Sequence, residues 1–247
     1  MAYNKAMKTI ALLPAALIAA LVATAPAAAQ DEILPGDSPS FDLSSTVSIV
    51  SDYRFRGISL SNRKPPVQAS IDVAHQSGIY SGAWASTIAK TGGSRVEVDL
   101  YLGYKGSVGP VDLDAGVTGY VYPGGKGVSY AETYAFIGRT LGPAELKVGA
   151  VYAPAQKNIG GSDNLYLTGE ARVGIPGTPF TALGSVGRER GSLAGVTGRK
   201  WDWSFGGEYT RAPFTVGLSY TDTNVRRIND PDKLARPGVV AAASVEF

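Results

Sequence analysis

RVEVDLYLGYK, residues 95–105, alternates along its whole length: Val96, Val98, Leu100, Leu102 and Tyr104 fall on one face, and Glu97, Asp99, Tyr101 and Lys105 on the other. A side-chain period of two is that of a β-strand, whose successive residues point to opposite faces. The stretch also has the length of a tilted membrane-crossing strand, roughly 9–11 residues.

The same pattern recurs in both directions. Val111, Leu113, Ala115 and Val117 oppose Asp112, Asp114 and Thr118; Leu165, Leu167, Ala171 and Val173 oppose Tyr166, Thr168, Glu170 and Arg172. Twelve such segments are expected, at 43–57, 66–75, 78–88, 95–105, 110–121, 130–139, 144–153, 163–174, 178–187, 201–210, 213–221 and 239–247. Short connections such as QSG, GSVG, LGP, IPG and RA alternate with longer ones around Asn62, Gly92, Gly124, Gly160, Gly195 and Asp230. An even strand number with this rhythm predicts an all-β protein, a transmembrane antiparallel up-and-down β-barrel of about 12 strands filling residues 41–247. A soluble β-sandwich also alternates and stays open as a reading. Against it stand Trp201, Trp203, Tyr209 and Tyr220, aromatic residues near strand ends of the kind that form girdles at membrane interfaces.

The ends of the chain point to the same compartment. Lys5 and Lys8, the apolar run 10–24 and Ala27-Ala28-Ala29 compose a secretory signal peptide at 1–29. Residues 30–40, with two prolines and a glycine, read as a short periplasmic leader. Without Lys5 and Lys8 the 23 basic residues fall to 21, equal to the 21 acids, so net charge gives no argument for nucleic acid. The chain has no cysteine, which excludes disulfides and thiolate metal sites. No second apolar run reaches the roughly 18 residues of a spanning helix, so a membrane would be crossed by strands. The stretch VVAAASVEF, 239–247, looks like the C-terminal strand of bacterial outer-membrane barrels, whose terminal aromatic, here Phe247, belongs to the signal read by the barrel-insertion machinery.

SDYRFRGIS at 51–59, followed by PPVQASIDVAHQSGIYSGAWAS at 65–86, resembles the TorF-like porin family of proteobacteria. The resemblance implies an outer-membrane β-barrel that passes small solutes. It brings no substrate and no functional residues.

Parity turns Asp52, Arg54, Arg56, Glu97, Asp99, Glu132, Glu170, Arg172 and Asp202 inward as pore-lining candidates, and Tyr53 and Phe55 outward to the membrane interface. Acids exceed bases in the lining, which predicts mild cation preference. Arg54 and Arg56 are candidates for a selectivity element at the mouth, with pairing to Asp52 as the competing role. A lumen plugged by acid–base pairs is the other state a barrel of this size allows. The outer loops are basic, with Arg63, Lys126, Arg188, Arg190, Arg199, Lys200 and Arg226 among them, and would meet outer-membrane lipid and lipopolysaccharide.

Hydrolytic chemistry finds little support. The one histidine, His75, lies beside the short turn QSG at the periplasmic end. GGKG at 124–127 lacks the spacing and the following Ser or Thr of a phosphate loop. No cofactor or metal is expected. The function expected is passive diffusion of small hydrophilic solutes or ions, the alternative being a closed structural or surface-interaction barrel without transport.

Overall fold

The computed structural model describes residues 40–247. The expected signal peptide, and the leader apart from Ser40, lie outside the described residues. Fourteen β segments follow in order: β1 (Phe41–Val50), β2 (Arg54–Phe55), β3 (Ile58–Ser59), β4 (Val67–His75), β5 (Ile79–Thr91), β6 (Ser94–Val108), β7 (Val111–Val121), β8 (Tyr130–Leu141), β9 (Ala144–Ala153), β10 (Asn164–Gly174), β11 (Phe180–Gly191), β12 (Arg199–Arg211), β13 (Phe214–Thr223) and β14 (Gly238–Glu246). Twelve of them, β1 and β4 to β14, form a closed antiparallel barrel in which each strand pairs with the next in sequence. β1 closes it: Val47 stands opposite Val245 of β14 on one side and Ala69 of β4 on the other. Closure pairs every strand edge, which is what lets a sheet stand in lipid.

Exposure follows the alternation. On β6, Leu100 and Leu102 are more than half exposed on the outside, while Glu97, Asp99 and Tyr101 are buried within. The same inversion runs around the ring, with Val117, Leu167, Val186, Val216 and Leu218 outward and Asp114, Asp202 and Glu208 inward. A sandwich would bury its apolar faces, so the arrangement of apolar outside and ionisable inside is that of a membrane barrel. Trp201, Trp203, Tyr209 and Tyr220 share the outward parity, and there Tyr209 meets Phe180 in a T-shaped contact and Tyr220 meets Phe205 with tilted rings, at ring separations of 5.3 and 5.2 Å.

Both described chain ends and the connections 76–78, 109–110, 142–143, 175–179 and 212–213 lie at one end of the barrel. At the other end lie 51–66, 92–93, 122–129, 154–163, 192–198 and 224–237. The expected longer loop around Gly92 is a two-residue turn, Gly92 and Gly93, both with positive φ, because β5 and β6 continue past the expected ends.

The main correction concerns the first strand, which stops at Val50 instead of running to Gly57. Local side-chain bonds displace the ladder there. The Ser51 hydroxyl takes the N–H of Ala241, and the Asp52 carboxylate accepts from the hydroxyls of Ser59 and Ser61 and from Arg54 Nε. The chain then turns into the lumen, so the parity argument lapses at Ser51. Tyr53 and Phe55, expected at the membrane interface, are inside: Tyr53 is 2% exposed and Phe55 packs with the same interior aromatic cluster.

Candidate functional site

The inward segment is a hairpin built on β2 and β3, with Arg54 opposite Ser59 and Phe55 opposite Ile58. Its two turn residues, Arg56 and Gly57, have φ of 48° and 81°. Two successive left-handed residues make the tight turn whose twist suits a hairpin. For Arg56 that conformation costs about 1–2 kcal/mol. Gly57 has a second reason to be glycine: a Cβ there would meet Thr223 Cγ2 at 2.3 Å and Asp202 Cβ at 2.9 Å.

What holds the turn is a charge cluster in the lumen. Arg56 Nη2 donates to Glu132 Oε2 on β8 and Nη1 to Glu189 Oε1 on β11, each at 2.6 Å. Lys200 on β12 donates to the backbone carbonyl of Arg56 at 2.6 Å, and lies 2.9 Å from Glu189 Oε2 and 3.2 Å from Asp202 Oδ2. Tyr120, Asn164 and Tyr166 complete the shell, donating to Glu132, Glu189 and Asp202 at 2.9 Å each. The guanidinium also lies over the rings of Phe55 and Tyr166, 4.6 and 4.5 Å from their centroids. Burial opposes its charge, and Glu132 and Glu189 more than offset this, holding Arg56 above its ordinary range.

The rest of the hairpin is tied to other parts of the wall. The Tyr53 hydroxyl donates to Glu97 Oε1 on β6 at 2.7 Å, and its ring meets Trp84 of β5 edge-on. Burial, with Glu97 and Asp99, pushes the Tyr53 hydroxyl well above its usual pKa, so it stays a donor. Phe55 meets Tyr120 of β7, and the Leu60 carbonyl accepts from Ala89 of β5. Arg54 bonds Asp52 and reaches the carbonyls of Leu234 and Arg236, joining the hairpin to the loop 224–237. The hairpin thus touches β5 to β8 and β10 to β13, crossing the lumen at the long-loop end.

The sequence-based candidates divide by this geometry. Asp52 and Arg54 pair with each other at the hairpin base, the role weighed against a selectivity element for this arginine. Arg56 does not reach Asp52; it bonds Glu132 and Glu189 across the barrel. Glu97, Asp99, Glu132 and Asp202 face inward beside the hairpin, and neither oxygen of the fully buried Asp99 has a hydrogen-bond partner. Glu170 and Arg172 also face the lumen, nearer the short-turn end: Glu170 pairs with Lys147 at 2.9 Å and Arg172 with Glu208. Phe247 is exposed, its backbone bonded to Ser45 beside β1.

Two central residues escaped the sequence reading. Glu189 lies beyond the expected strand end at Gly187, and Lys200 precedes the expected start at Trp201, which had left it among the loop cations. β11 and β12 run further, and period two carried past Gly187 would have turned Glu189 inward. Among the described residues, no group of three or more His, Cys, Asp or Glu side chains is placed to hold a metal.

The model of a family described as bacterial protein of unknown function (Gcw_chp) matches residues 35–240. No curated protein matches the chain. Among solved structures, the NanC porin aligns at a TM-score of 0.56 and 12% identity, over 83% of this chain and 99% of that one. The KdgM porin, in complex with disordered oligogalacturonate, aligns at 0.55 and 7%, over 83% of this chain and 97% of that one. At such identities the likeness is one of fold.

Proposed function

The chain belongs to the Gcw_chp family of bacterial proteins, and we propose that it is an outer-membrane channel for small hydrophilic solutes or ions, with the hairpin at 51–66 standing across its path. The observation that carries this reading is the inverted wall, apolar outward and ionisable inward around a closed ring. The porin-like fold of its structural neighbours and the resemblance of 51–59 and 65–86 to TorF-like porins support it. In this reading the termini and short turns face the periplasm, the long loops face outward, and Phe247 serves insertion. The protein acts by diffusion and not by catalysis.

Solute identity does not transfer from KdgM. Oligogalacturonate is a polyanion, whereas the lumen here presents Glu97 and Asp99 without basic partners at hydrogen-bonding distance. Where water reaches these carboxylates and they ionise, a lining of that sign favours cations or neutral solutes.

A second reading, a closed barrel serving structure or surface contact, is favoured by the hairpin itself, whose central ion pairs are fully buried. Planar-bilayer recordings separate the two. The channel reading expects discrete ohmic openings, more frequent when residues 53–60 are replaced by a short glycine-serine link. Silence of both proteins across several salts would leave the closed barrel.

A further inference from the structure

On the outer face at the long-loop end, β11 and β12 bring three arginines together. Their register sets Arg190 directly opposite Arg199 and Arg188 opposite Trp201, and Leu165 and Leu167 of β10 stand opposite Arg190 and Arg188. All three arginines are exposed and share the outward parity of Val186, Trp201 and Phe205. The Arg188 guanidinium lies 5.4 Å from the Trp201 ring centroid. The cluster therefore sits where the apolar belt ends, on the side of the barrel that faces lipid rather than the lumen.

Like charges set directly opposite across strands destabilise a sheet unless something of opposite sign lies between them. No described carboxylate does so. Of the outward acids nearby, Asp222 on β13 accepts from the Tyr220 hydroxyl at 3.1 Å and from the Thr223 N–H at 2.7 Å, and Asp163, just before β10, accepts from the Tyr152 hydroxyl at 3.4 Å. None of the three arginines forms an ion pair with a described acid. Guanidinium groups bind phosphate oxygens in paired hydrogen bonds, and an indole at the same level suits the headgroup–acyl boundary.

We infer that Arg188, Arg190, Arg199 and Trp201 form a binding site for the phosphate of an outer-leaflet lipid, the phosphorylated sugar headgroup of lipid A with its acyl chains along the belt below. The inference rests on the outer-membrane placement and outward long loops proposed above. It does not depend on conduction. A free anion would gain nothing from the apolar surface beneath the arginines, whereas an acylated phosphosugar engages both.

The full chain, purified in detergent, is titrated with diphosphoryl lipid A, dephosphorylated lipid A, phosphatidylglycerol and inorganic phosphate, with bound lipid read by native mass spectrometry and by Trp fluorescence. Diphosphoryl lipid A is expected to bind most tightly. Loss of each guanidinium in Arg190→Gln or Arg199→Gln should weaken it roughly tenfold, and the triple variant with Arg188→Gln should abolish it. Gel mobility with and without heating verifies that each variant is a folded barrel. Equal binding of lipid A by the wild-type and triple variant overturns the site, as does equal competition by inorganic phosphate or phosphatidylglycerol. Bilayer conductance of the same variants should match wild type. Lipid binding by a protein that never conducts would defeat the channel reading alone, and conduction without lipid binding would defeat this site alone.

Discussion

Arg56 and Glu132 are joined at 2.6 Å with neither side chain exposed, across a lumen in which one belongs to a turn and the other to the wall. A buried pair of this kind contributes little net stability against an apolar substitute, but losing one member leaves a stranded charge, at a cost of roughly 3–5 kcal/mol. Here Glu132 would be stranded, while Glu189, on the other arm of the same guanidinium, would keep Lys200 at 2.9 Å. Arg56→Met should therefore release the hairpin tip and raise the open fraction in bilayer recordings. Adding Glu132→Gln in the same chain, which removes the stranded charge, should recover part of the barrel stability without recovering closure. Unchanged conductance in Arg56→Met would mean that the hairpin does not obstruct the path.

Gly57 offers an independent way to move the same tip. Its added Cβ would overlap Thr223 Cγ2 and Asp202 Cβ, and its φ of +81° already disfavours a side chain. Gly57→Ala should mimic Arg56→Met in conductance. Gly109 is the control: its φ of +59° carries the same backbone penalty, but nothing lies within 4 Å of the added carbon. Gly109→Ala should cost about 1 kcal/mol in unfolding and leave conductance unchanged. If the two alanines behave alike, backbone strain and not packing governs the tip.

Tyr53 shows both how much of this protein could be read from sequence and where the reading fails. Its twelve strands were legible because period two persists for ten or so residues at a time, and the inward placing of Glu97, Asp99, Glu132 and Asp202 follows from it. Parity carries information only while the ladder continues, however, and at Ser51 and Asp52 hydroxyl and carboxylate groups end the ladder. Nothing in the alternation marks that point, so parity alone turns Tyr53 and Phe55 outward, where the structure has them inside. The same dependence hid Glu189 and Lys200, which lie two residues past the expected end at Gly187 and one residue before the expected start at Trp201. The cross-lumen contacts of Arg56 had no signal at all, because they join positions 76 and 133 residues apart. Tyr53→Phe tests the corrected position. Removing a hydroxyl that donates to buried Glu97 should destabilise the barrel by about 1–3 kcal/mol in urea unfolding from lipid vesicles, whereas a lipid-facing Tyr would lose almost nothing.

The outward belt makes a contrasting pair with the lining. Leu100 and Asp99 are neighbours on β6, one half exposed and one fully buried. Leu100→Arg should cost about 2–4 kcal/mol in membrane-inserted protein if this position lies near the bilayer midplane. Measured in lipid vesicles, a negligible cost would place Leu100 away from the apolar centre of the bilayer.

For the proposed channel, the sign of the current should follow from the charges that remain unpaired. Arg56, Lys200, Glu132, Glu189 and Asp202 largely cancel one another at the hairpin tip, and Lys147 with Glu170 and Arg172 with Glu208 do so further along. Glu97 receives a hydrogen bond from the neutral Tyr53 hydroxyl, and Asp99 receives none. A buried carboxylate without a counter-charge keeps its charge only where water reaches it, so in protein whose hairpin has been released these two would line the path as its uncompensated negative charge, and such a charge in a narrow path selects cations. In a potassium chloride gradient, protein opened by Arg56→Met should reverse on the cation side of zero. Adding Asp99→Asn and Glu97→Gln, which keep shape and remove charge, should move the reversal potential toward zero, and the movement should shrink at high salt as screening shortens to about 3 Å near 1 M. A reversal potential indifferent to both substitutions would place the ion path away from β6.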